Sequence, residues 1–454
     1  MKIRRYVLII SIIIPTRERA NYLRESVQTA IQIPDPNIEI IVSDNASMDE
    51  TKQVLTGISD PRVKHVNTVK RVSMRENFEF GMHNSSGDYV IFFGDDDGIL
   101  PRQFKFLRRI LEKERPDALS WNIPVFGWPF DWSAKEYKIG SLVFNKNKLF
   151  SGVRQIDCNA YRKHLLASNL KGITPIPTIY HGCVSKDYFK RIAAPDGTYF
   201  NGSSPDVYFW YRSILEGGKF IHVGHAFSLG GFSPASSGGA SGRQAYDVVS
   251  SSRNESAYRF AAEYELDKVT DVIRPLYFLH PLGFFAILET VRVCFPKERQ
   301  TPDYLAWYNY IVSEDSPWRD TVREILRDYA IKSGTLSEFE QAESEQRSGK
   351  SALKNPRKCC PASRKALSEM KEILRNYATR TPVLPQPKRF RLSAEIAQKN
   401  TILTAVNVYD SVLADDYEHI LDGTGSRKAI WKQVVKRSRA YPVWRASTQE
   451  KDTT

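Results

Sequence analysis

Cysteine is scarce in this chain of 454 residues: there are five, an odd number, and no two of them form a C-x-x-C pair. We therefore expect neither a disulfide framework nor a zinc site, and the scarcity fits a reducing compartment. Long apolar runs are missing as well. The run Tyr6–Ile14 is too short to span a bilayer, ends at Pro15 and precedes no small-residue cleavage site, so we interpret it as a buried strand rather than a signal peptide.

Several motifs of nucleotide-dependent and hydrolytic enzymes are absent. No G-x-G-x-x-G follows the first predicted strand, which leaves a dinucleotide site unsupported, and the P-loop pattern G-x-x-x-x-G-K-[ST] does not occur. The nucleophile elbow G-x-S-x-G is missing too. Because there is no zinc-finger or helix-turn-helix pattern, we expect no nucleic-acid partner.

The composition is that of a globular protein, with 41% hydrophobic and 26% charged residues, and it excludes a disordered, collagenous or multi-span membrane chain. The formal net charge of +13 suggests an anionic partner such as nucleic acid, acidic lipid or a phosphorylated substrate. The excess lies at one end of the chain, because residues 341–454 contain 22 Lys and Arg against 12 Asp and Glu. The preceding residues are nearly neutral.

Strands and helices are predicted to alternate over the first hundred residues. Strands are expected at Tyr6–Ile14, Ile38–Val42, Val63–Val66 and Tyr89–Phe93. Helices are expected between them, at Asn21–Ile31, Asp49–Ile58 and Arg75–His83. This alternation is typical of right-handed βαβ units, so it predicts an α/β fold with a mainly parallel sheet flanked by helices.

Polar residues follow three of these strands, at the sheet edge where parallel sheets bind their ligands. Thr16-Arg17 follows the first strand, Asp44-Asn45 the second, and Asp95-Asp96-Asp97 the fourth. Three adjacent carboxylates repel one another unless a cation is bound, and oxygen ligands favour Mg²⁺ or Mn²⁺. An isolated acidic triplet is typical of a solvated turn, but its place at a strand end favours a cation site.

The other strand-end residues allow two interpretations each. Asp44 could accept hydrogen bonds from a base imide or ribose hydroxyls, or it could cap the following helix, and taken alone the cap is favoured. Several arginines could complement a diphosphate, although each one singly is typical of a protein surface: Arg17, Arg19, Arg71 and Arg75.

Three blocks of sequence resemble family 2 glycosyltransferases, which have the GT-A fold. The first, residues 11–19, is SIIIPTRER; the second, residues 38–51, is IEIIVSDNASMDET; the third, residues 87–101, is GDYVIFFGDDDGILP and resembles the strand that carries the D-x-D metal motif. The order and the spacing of the blocks match as well. The resemblance covers residues 9–104 and continues more weakly to about residue 235.

The resemblance implies a role for each strand-end residue. The donor nucleotide would be bound by Pro15, Thr16, Arg17, Arg19, Asp44, Asn45, Arg75, Asp95 and Asp96. Asp97 would bind the cofactor, a divalent cation (Mn²⁺ or Mg²⁺), with Asp95 as a further ligand. Because Gly94 stands where many members of the family have the first Asp of the motif, the division of roles within 95–97 stays open.

Inverting transfer also needs a general base that takes the proton of the acceptor hydroxyl. Residues 199–212 resemble the family's block that carries this carboxylate at the start of a helix, which makes Asp206 the candidate base. The alternative is an Asp that balances the helix dipole. Glu216 lies too far along the helix to compete.

Histidines and aromatic residues give weaker indications. In some GT-A enzymes a late histidine completes the metal shell, so His222 and His225 are candidate metal ligands. Of the two, His225 is predicted as the third ligand. A structural role is nevertheless favoured for both. His181 could face the acceptor. The aromatic residues from Trp121 to Trp132 suit sugar stacking, but packing is the favoured interpretation.

The chain beyond the resemblance is predicted to be largely helical. We expect a catalytic domain at residues 1–235, a helical region at 236–345 and a basic helical extension at 346–454. In the extension, a helix is expected at Ser363–Thr379 and an extended spacer at 381–391.

The resemblance implies an inverting, hexosyltransferase-type enzyme that acts by metal-assisted direct displacement. The donor would be a nucleotide-diphospho-sugar, foremost a UDP-sugar, and the acceptor a saccharide or a lipid-linked glycan, as in bacterial surface-polysaccharide synthesis. Two alternatives stay open: a sugar nucleotidyltransferase, and a catalytically degenerate binding protein held on an anionic membrane by the basic tail. The expected location is cytoplasmic, with peripheral contact at the inner face of the cytoplasmic membrane as a further expectation.

Overall fold

A computed structural model of the chain describes residues 7–129, 139–202, 204–233, 272–273, 280–295, 300–314, 319–348 and 387–444. The helix expected at Ser363–Thr379 lies outside these residues. The chain divides into two compact units: one comprises residues 1–303 and 389–454, and the other residues 304–388. The domain boundaries expected at 235 and 345 stay predictions.

An eight-stranded sheet forms the centre of the first unit. The strands of this unit are Ile10–Thr16 (β1), Ile38–Asp44 (β2), Val63–Asn67 (β3), Tyr89–Phe92 (β4), Gly98–Ile99 (β5), Ala118–Trp121 (β6), Val125–Gly127 (β7), Ser141–Asn145 (β8), Val153–Gln155 (β9), Gly182–Ser185 (β10), Phe220–Val223 (β11), Ser228–Phe232 (β12) and Arg389–Ser393 (β13). The order across the large sheet is β3-β2-β1-β4-β10-β6-β11-β9.

The half of this sheet built by the first four strands is parallel, as predicted. Strand β10 enters antiparallel between β4 and β6, β11 is parallel to β6, and β9 is antiparallel at the edge. Strand β1 is buried along nearly its whole length, which explains why its sequence is continuously apolar. Its register with β2 runs from Ile10 opposite Ile38 to Thr16 opposite Asp44, so the polar strand ends lie level at one edge.

Helices cover the sheet and continue into the C-terminal part of the chain. The helices of the first unit are Ala20–Ile31 (α1), Thr51–Thr56 (α2), Met74–His83 (α3), Pro101–Glu114 (α4), Cys158–Leu166 (α5), Lys186–Ile192 (α6), Pro205–Glu216 (α7), His280–Cys294 (α8), Ile402–Leu413 (α12), Tyr417–Leu421 (α13) and Arg427–Ser438 (α14), with short 3-10 turns at Lys146–Lys148 and Leu170–Gly172. Among the described residues, no helix is both long and apolar enough to cross a membrane.

The second unit is a small helical bundle. Its described helices are Tyr304–Val312 (α9), Arg319–Ser333 (α10) and Leu336–Arg347 (α11). Their buried faces include Trp307, Leu326 and Phe339, and the hydroxyls of Tyr308 and Thr335 lie 2.6 Å apart. These helices confirm that the region after the sheet is largely helical.

Two smaller sheets complete the first unit. In one, β12 pairs antiparallel with β5 and parallel with β7, next to the aspartate triplet. In the other, β13 pairs antiparallel with β8, from Arg389 opposite Asn145 to Ser393 opposite Ser141. The spacer expected at 381–391 is thus wrong in its last residues, because 389–391 belong to a strand that is hydrogen-bonded to the first unit.

Candidate active site

Thr16, Arg19 and Asp95 meet at the carboxyl edge of the large sheet. The Thr16 hydroxyl donates to Asp95 Oδ2 at 2.7 Å, and Arg19 Nη1 donates to Asp95 Oδ1 at 3.0 Å. Arg19 occupies the residue before α1, so the first strand and its helix both contribute to the contact. Burial raises the pKa of Asp95 although the Arg19 charge opposes that shift. The site residues predicted from the first and third blocks therefore lie together.

Asp97 is the most densely bonded of the three carboxylates. Tyr180 OH donates to its Oδ2 at 2.7 Å, and His181 Nε2 lies 3.0 Å from the same oxygen. The backbone N–H of Gly94 also donates to Oδ2, at 2.7 Å, and that of Gly231 donates to Oδ1 at 2.6 Å. Burial alone would raise the pKa of Asp97, but the charge and hydrogen bond of His181, with the other donors, bring that pKa below its usual value.

Asp96 is held differently from its neighbours. Ser233 Oγ donates to its Oδ2 at 2.5 Å, and Trp128 Nε1 donates to its backbone carbonyl at 2.9 Å. Burial, together with the charges of Asp97 and Asp95, raises the pKa of the Asp96 carboxyl to about 8. The three carboxyl groups therefore lie close enough to oppose one another's ionisation.

A divalent cation suits this loop in charge and ligand type. Carboxylate oxygens are the ligands that Mg²⁺ and Mn²⁺ take, and burial, together with the neighbouring carboxylates, disfavours the charged form of Asp96 in the absence of a cation. In the described part of the chain, however, no group of three or more His, Cys, Asp or Glu side chains is arranged to hold a metal ion. Hydrogen-bond donors already contact both oxygens of Asp95 and of Asp97.

Gly94 leaves no room for a side chain in this arrangement of the loop. A Cβ at this position would lie 2.2 Å from Tyr180 OH and 2.9 Å from Asp97 Oδ2. Tyr180 thus occupies the space of the missing side chain and supplies a hydroxyl to Asp97. The departure in sequence and the Tyr180 contact have one steric cause.

Asp44 and Asn45 hold the neighbouring loops together. Asp44 Oδ1 accepts from the Ser47 N–H at 3.0 Å, and its Oδ2 accepts from Asn67 Nδ2 at 2.8 Å and lies 3.1 Å from His65 Nε2. Burial would raise the pKa of Asp44, but these bonds lower it. The side-chain amide of Asn45 pairs with both backbone groups of Val72, at 2.8 and 2.9 Å. Asp44 does not cap the following helix, because α2 begins at Thr51 after Glu50 and no side-chain bond caps it; the role of Asp44 in base binding stays a prediction.

The other predicted nucleotide-binding residues lie around this edge. Pro15 and Arg17 are half-buried at the end of β1. Arg75 is buried in the first turn of α3, where its Nη1 donates to the Phe200 carbonyl at 3.2 Å. Its described contact is therefore with the segment that leads into α7.

Asp206 lies in the first turn of α7, as predicted. The helix starts with Pro205 at its first position, and Asp206 is the acidic residue of its first turn. The side chain is half-buried, and burial raises its pKa above the usual value for an aspartate. A raised pKa suits a group that accepts a proton, and the N–H groups of Asp206 and Val207 at the helix start partly oppose the shift.

His225 does not join the aspartates, which corrects its prediction as a metal ligand. Its Nε2 lies 3.2 Å from Gln103 Oε1, its Nδ1 accepts from the Phe150 N–H at 3.4 Å, and its ring stacks on Tyr417 at 3.9 Å. Burial lowers its pKa to about 3. Both ring nitrogens have protein partners, so the structural interpretation holds. The histidine that contacts Asp97 is His181.

Four residues of the site were not predicted as such: Tyr180, His181, Gly231 and Ser233. The pair His181-Gly182 was noted for the acceptor, and the structure instead turns His181, at φ +53°, toward Asp97. Gly231 permits close approach, because a Cβ there would lie 1.7 Å from the Asp96 carbonyl oxygen. Of the aromatic set, Trp121, Phe126 and Trp128 are buried, so packing is confirmed for them; Phe130 and Trp132 lie outside the described residues.

Comparison with known proteins bears on the first part of the chain. Residues 11–179 match the model of the family described as "Glycosyl transferase family 2". With the mainly parallel sheet, this match confirms the predicted fold class.

Three curated relatives align with about a quarter of the chain or less. An uncharacterized glycosyltransferase of Rickettsia typhi is 30% identical over 25% of this chain and 35% of its own length. A GalNAc(5)-diNAcBac-PP-undecaprenol beta-1,3-glucosyltransferase of Campylobacter jejuni is 33% identical over 20% and 30%. The abequosyltransferase RfbV of Salmonella typhimurium is 30% identical over 24% and 34%. The chain thus spans about a third of the length of these relatives.

Two solved structures were also matched. Residues 1–349 of S. aureus TarS, in complex with UDP-GlcNAc, align over 75% of this chain and 92% of that chain at 14% identity, with a TM-score of 0.41. The mannosyltransferase PcManGT of Pyrobaculum calidifontis, in complex with GDP-Man and Mn²⁺, aligns over 75% and 87% at 14% identity, with a TM-score of 0.36.

Proposed function

We propose that the protein transfers a sugar from a nucleotide-diphospho-sugar to an acceptor hydroxyl with inversion. The premise is that residues 11–179 of this chain form a glycosyl transferase family 2 domain. The donor is foremost a UDP-sugar. The acceptor is a saccharide or a lipid-linked glycan, in keeping with the undecaprenol-linked substrate that the name of one relative states. The cytoplasmic location and the contact with an anionic membrane stay predictions.

The observation that carries this proposal is the buried aspartate loop at the sheet edge. Asp95, Asp96 and Asp97 are each at most 3% exposed, and Arg19 contacts Asp95. Burying three carboxylates costs free energy that a fold does not retain without a counter-charge. A cation and a diphosphate together provide charge balance at such a place, because the metal meets the carboxylates and the arginine meets the phosphates.

Mn²⁺ or Mg²⁺ is the proposed cofactor, with Asp97 and Asp95 as its ligands. When bound, the ion neutralises negative charge on the leaving diphosphate. The protein's own part is to fix the carboxylates: His181, Tyr180 and the Gly231 N–H orient Asp97, while Thr16 and Arg19 orient Asp95. Fixed donors of this kind reduce the reorganisation needed during reaction.

Asp206 is the proposed general base. Its carboxylate would take the proton of the acceptor hydroxyl as the acceptor oxygen attacks the sugar carbon, while the bond to the diphosphate breaks on the opposite face. The raised pKa of Asp206 brings its basicity closer to neutral pH, where it transfers protons more effectively. Arg19, Arg17 and Arg75 are proposed to bind the donor diphosphate and nucleotide with Pro15, Thr16, Asp44, Asn45 and Asp96.

A binding and turnover experiment on the full chain tests this function. Purified protein is screened by thermal shift against UDP, GDP, UDP-GlcNAc, UDP-glucose and GDP-mannose, each with Mn²⁺, Mg²⁺ or EDTA. We expect a metal-dependent shift with one nucleotide and slow hydrolysis of its sugar conjugate. Asp97→Asn should abolish both, and the surface variant Asp60→Asn should not. A wild-type protein that binds none of these nucleotides with metal, or an Asp97→Asn protein with full hydrolysis, would overturn the proposal.

A further inference from the structure

The helix that follows the aspartate loop has no capping side chain from its own sequence. Helix α4 begins at Pro101, and the residue before it, Leu100, offers no side-chain acceptor. A helix start leaves backbone N–H groups without partners inside the helix, and a Ser, Thr, Asp or Asn at the preceding position usually satisfies one of them. In this protein, the start of α4 therefore depends on an acceptor from elsewhere.

Asp410, which lies 308 residues from Arg102 in the chain, supplies that acceptor. Its Oδ2 accepts from the Arg102 N–H at 2.7 Å, and its Oδ1 accepts from Gln103 Nε2 at 2.7 Å. The side chain is 7% exposed, so water does not replace these bonds easily. A carboxylate at a helix N-terminus is also favoured by the helix dipole.

Helix α12, which carries Asp410, also packs against β5, the strand that follows Asp97. A Cβ on Gly98 would lie 2.6 Å from Val406 Cγ2 and 2.8 Å from Ile402 Cγ1. The backbone of β5, which starts directly after Asp97, thus lies directly against the Val406 and Ile402 side chains of α12. On the other side, Thr401 Oγ1 donates to Glu25 of α1 at 2.9 Å.

Gln103 extends the same contact toward the strand that contacts the aspartates. Its Nε2 donates to the Ala414 carbonyl at 2.9 Å, and its Oε1 lies 3.2 Å from His225 Nε2. His225 in turn precedes β12, whose Gly231 N–H contacts Asp97. The start of α4, the strand β12 and the end of α12 therefore meet at one buried polar group.

We infer that Asp410 is a positioning residue for the Asp95–Asp97 loop, acting as the N-terminal cap of α4 from the C-terminal part of the chain. The residues from 389 to 444 then serve the active site as a brace behind the loop rather than as a separate tail. The role in the loop's geometry stands on the contacts themselves; its role in donor binding rests on the proposed function.

Amide hydrogen exchange and UDP binding on the full-length protein test this role. In Asp410→Ala, exchange at residues 98–106 should quicken by about five- to thirtyfold, which is the effect of a lost cap. Asp410→Asn keeps an acceptor for the Arg102 N–H and should recover most of the protection. The control is Asp422→Ala, which breaks an exposed ion pair between the same brace and Arg109 of the same helix, and should leave residues 98–106 unchanged.

The second measurement is the Kd for UDP with Mn²⁺, which should rise about tenfold in Asp410→Ala and recover in Asp410→Asn. If exchange at 98–106 is unchanged in Asp410→Ala, the brace is overturned whether or not UDP binds. If exchange quickens but UDP binds as in the wild type, Asp410 is merely structural and the inference fails. If Asp410→Ala does not fold, Asp410→Asn must still quicken exchange about twofold, because it loses the Gln103 bond and the charge. A wild type that binds no UDP contradicts the proposed donor, and the exchange result still decides on the brace.

Discussion

His181 Nε2 lies 3.0 Å from Asp97 Oδ2, and both side chains are buried. The other ring nitrogen of His181 lies 2.7 Å from Ser228 Oγ, and that oxygen accepts from Trp121 Nε1 at 2.7 Å. Ser228 Oγ therefore joins the Trp121 indole to the His181 ring, whose other nitrogen faces Asp97. The orientation of Asp97 is thus set through three side chains from three strands or strand ends.

Replacement of His181 should weaken metal-dependent turnover more than it weakens the fold. His181→Asn removes the donor that orients a proposed metal ligand, and losses of such partners typically cost 10- to 100-fold in metal affinity or activity. We expect a fall of about that size in donor hydrolysis and a higher Mn²⁺ concentration for half-maximal activity. A manganese titration of initial rates measures both quantities.

The matched control for His181 is His225→Asn, because that ring stacks on Tyr417 and contacts Gln103 instead of the aspartates. This variant should lower Tm and change the manganese requirement less than His181→Asn does, because the His225 ring acts on Asp97 only through Gln103 and the segment before β12. If His225→Asn shifts the manganese requirement and His181→Asn does not, the assignment of the two histidines is reversed.

A side chain at Gly94 should destabilise the protein, and removal of the Tyr180 hydroxyl should relieve part of the effect. Gly94→Ala places a Cβ 2.2 Å from Tyr180 OH, and overpacking of this kind costs about 1–3 kcal/mol. Tyr180→Phe in the same chain removes the colliding oxygen. Urea unfolding of the single and double variants gives the coupling, and strictly additive free energies would contradict the steric explanation.

Asp206→Asn should separate chemistry from donor binding. An amide cannot take the acceptor proton, so transfer should fall by about 10²- to 10⁴-fold while the Kd for the donor nucleotide stays within about twofold. The control is Glu216→Gln, at the far end of the same helix, where the side chain pairs with Arg212. Equal losses in both variants would point to damage of the helix instead of a missing base.

The free energy of unfolding should decrease in acid because Glu39 becomes protonated. Burial alone would raise the pKa of Glu39, but bonds from Lys64, Ser11 and Ser86 lower it to about 2. The unfolded chain, with a pKa near its ordinary value of about 4.3, binds the proton more tightly, so the stabilisation is present above about pH 4.5 and is lost as the pH falls toward 2.

Urea unfolding at steps from pH 6 to pH 2.5 measures this loss. Glu39→Gln should be less stable than the wild type at pH 6, and the difference should shrink as the pH falls. Glu50→Gln, an exposed control, should follow the wild type throughout. Curves for Glu39→Gln and wild type that stay parallel would exclude Glu39 as the source.

The sequence predicted the parts of the site that come from the first four strands. Thr16, Arg19 and Asp95 could be placed together because parallel strands end at one sheet edge, and adjacent polar strand ends meet there. Tyr180 and His181 could not, since they precede β10, a strand that enters antiparallel between β4 and β6. The hydrophobic periodicity of a sequence indicates which residues are buried. It does not indicate where in the sheet order a later strand inserts.

The same sheet order explains the error over His225. In the sequence His225 follows a predicted strand, as expected of a late metal-binding histidine. In the sheet, however, that strand, β11, is separated from β4 by β10 and β6. The pairing of β13 with β8 could not be predicted either. The run Arg389–Ser393 carries two arginines, and its alternation of apolar and polar residues is too short to identify a partner strand.

The cap from Asp410 has a consequence for the order in which the protein matures. With 308 residues between Arg102 and Asp410, and synthesis at about 5–20 residues per second, the start of α4 leaves the ribosome roughly 15 to 60 s before its partner. During that interval the nascent sheet can assemble, while the aspartate loop still lacks its support. Acquisition of the active geometry is then a late step of biosynthesis, set by the arrival of the final helices rather than by the folding of the domain that bears the aspartates.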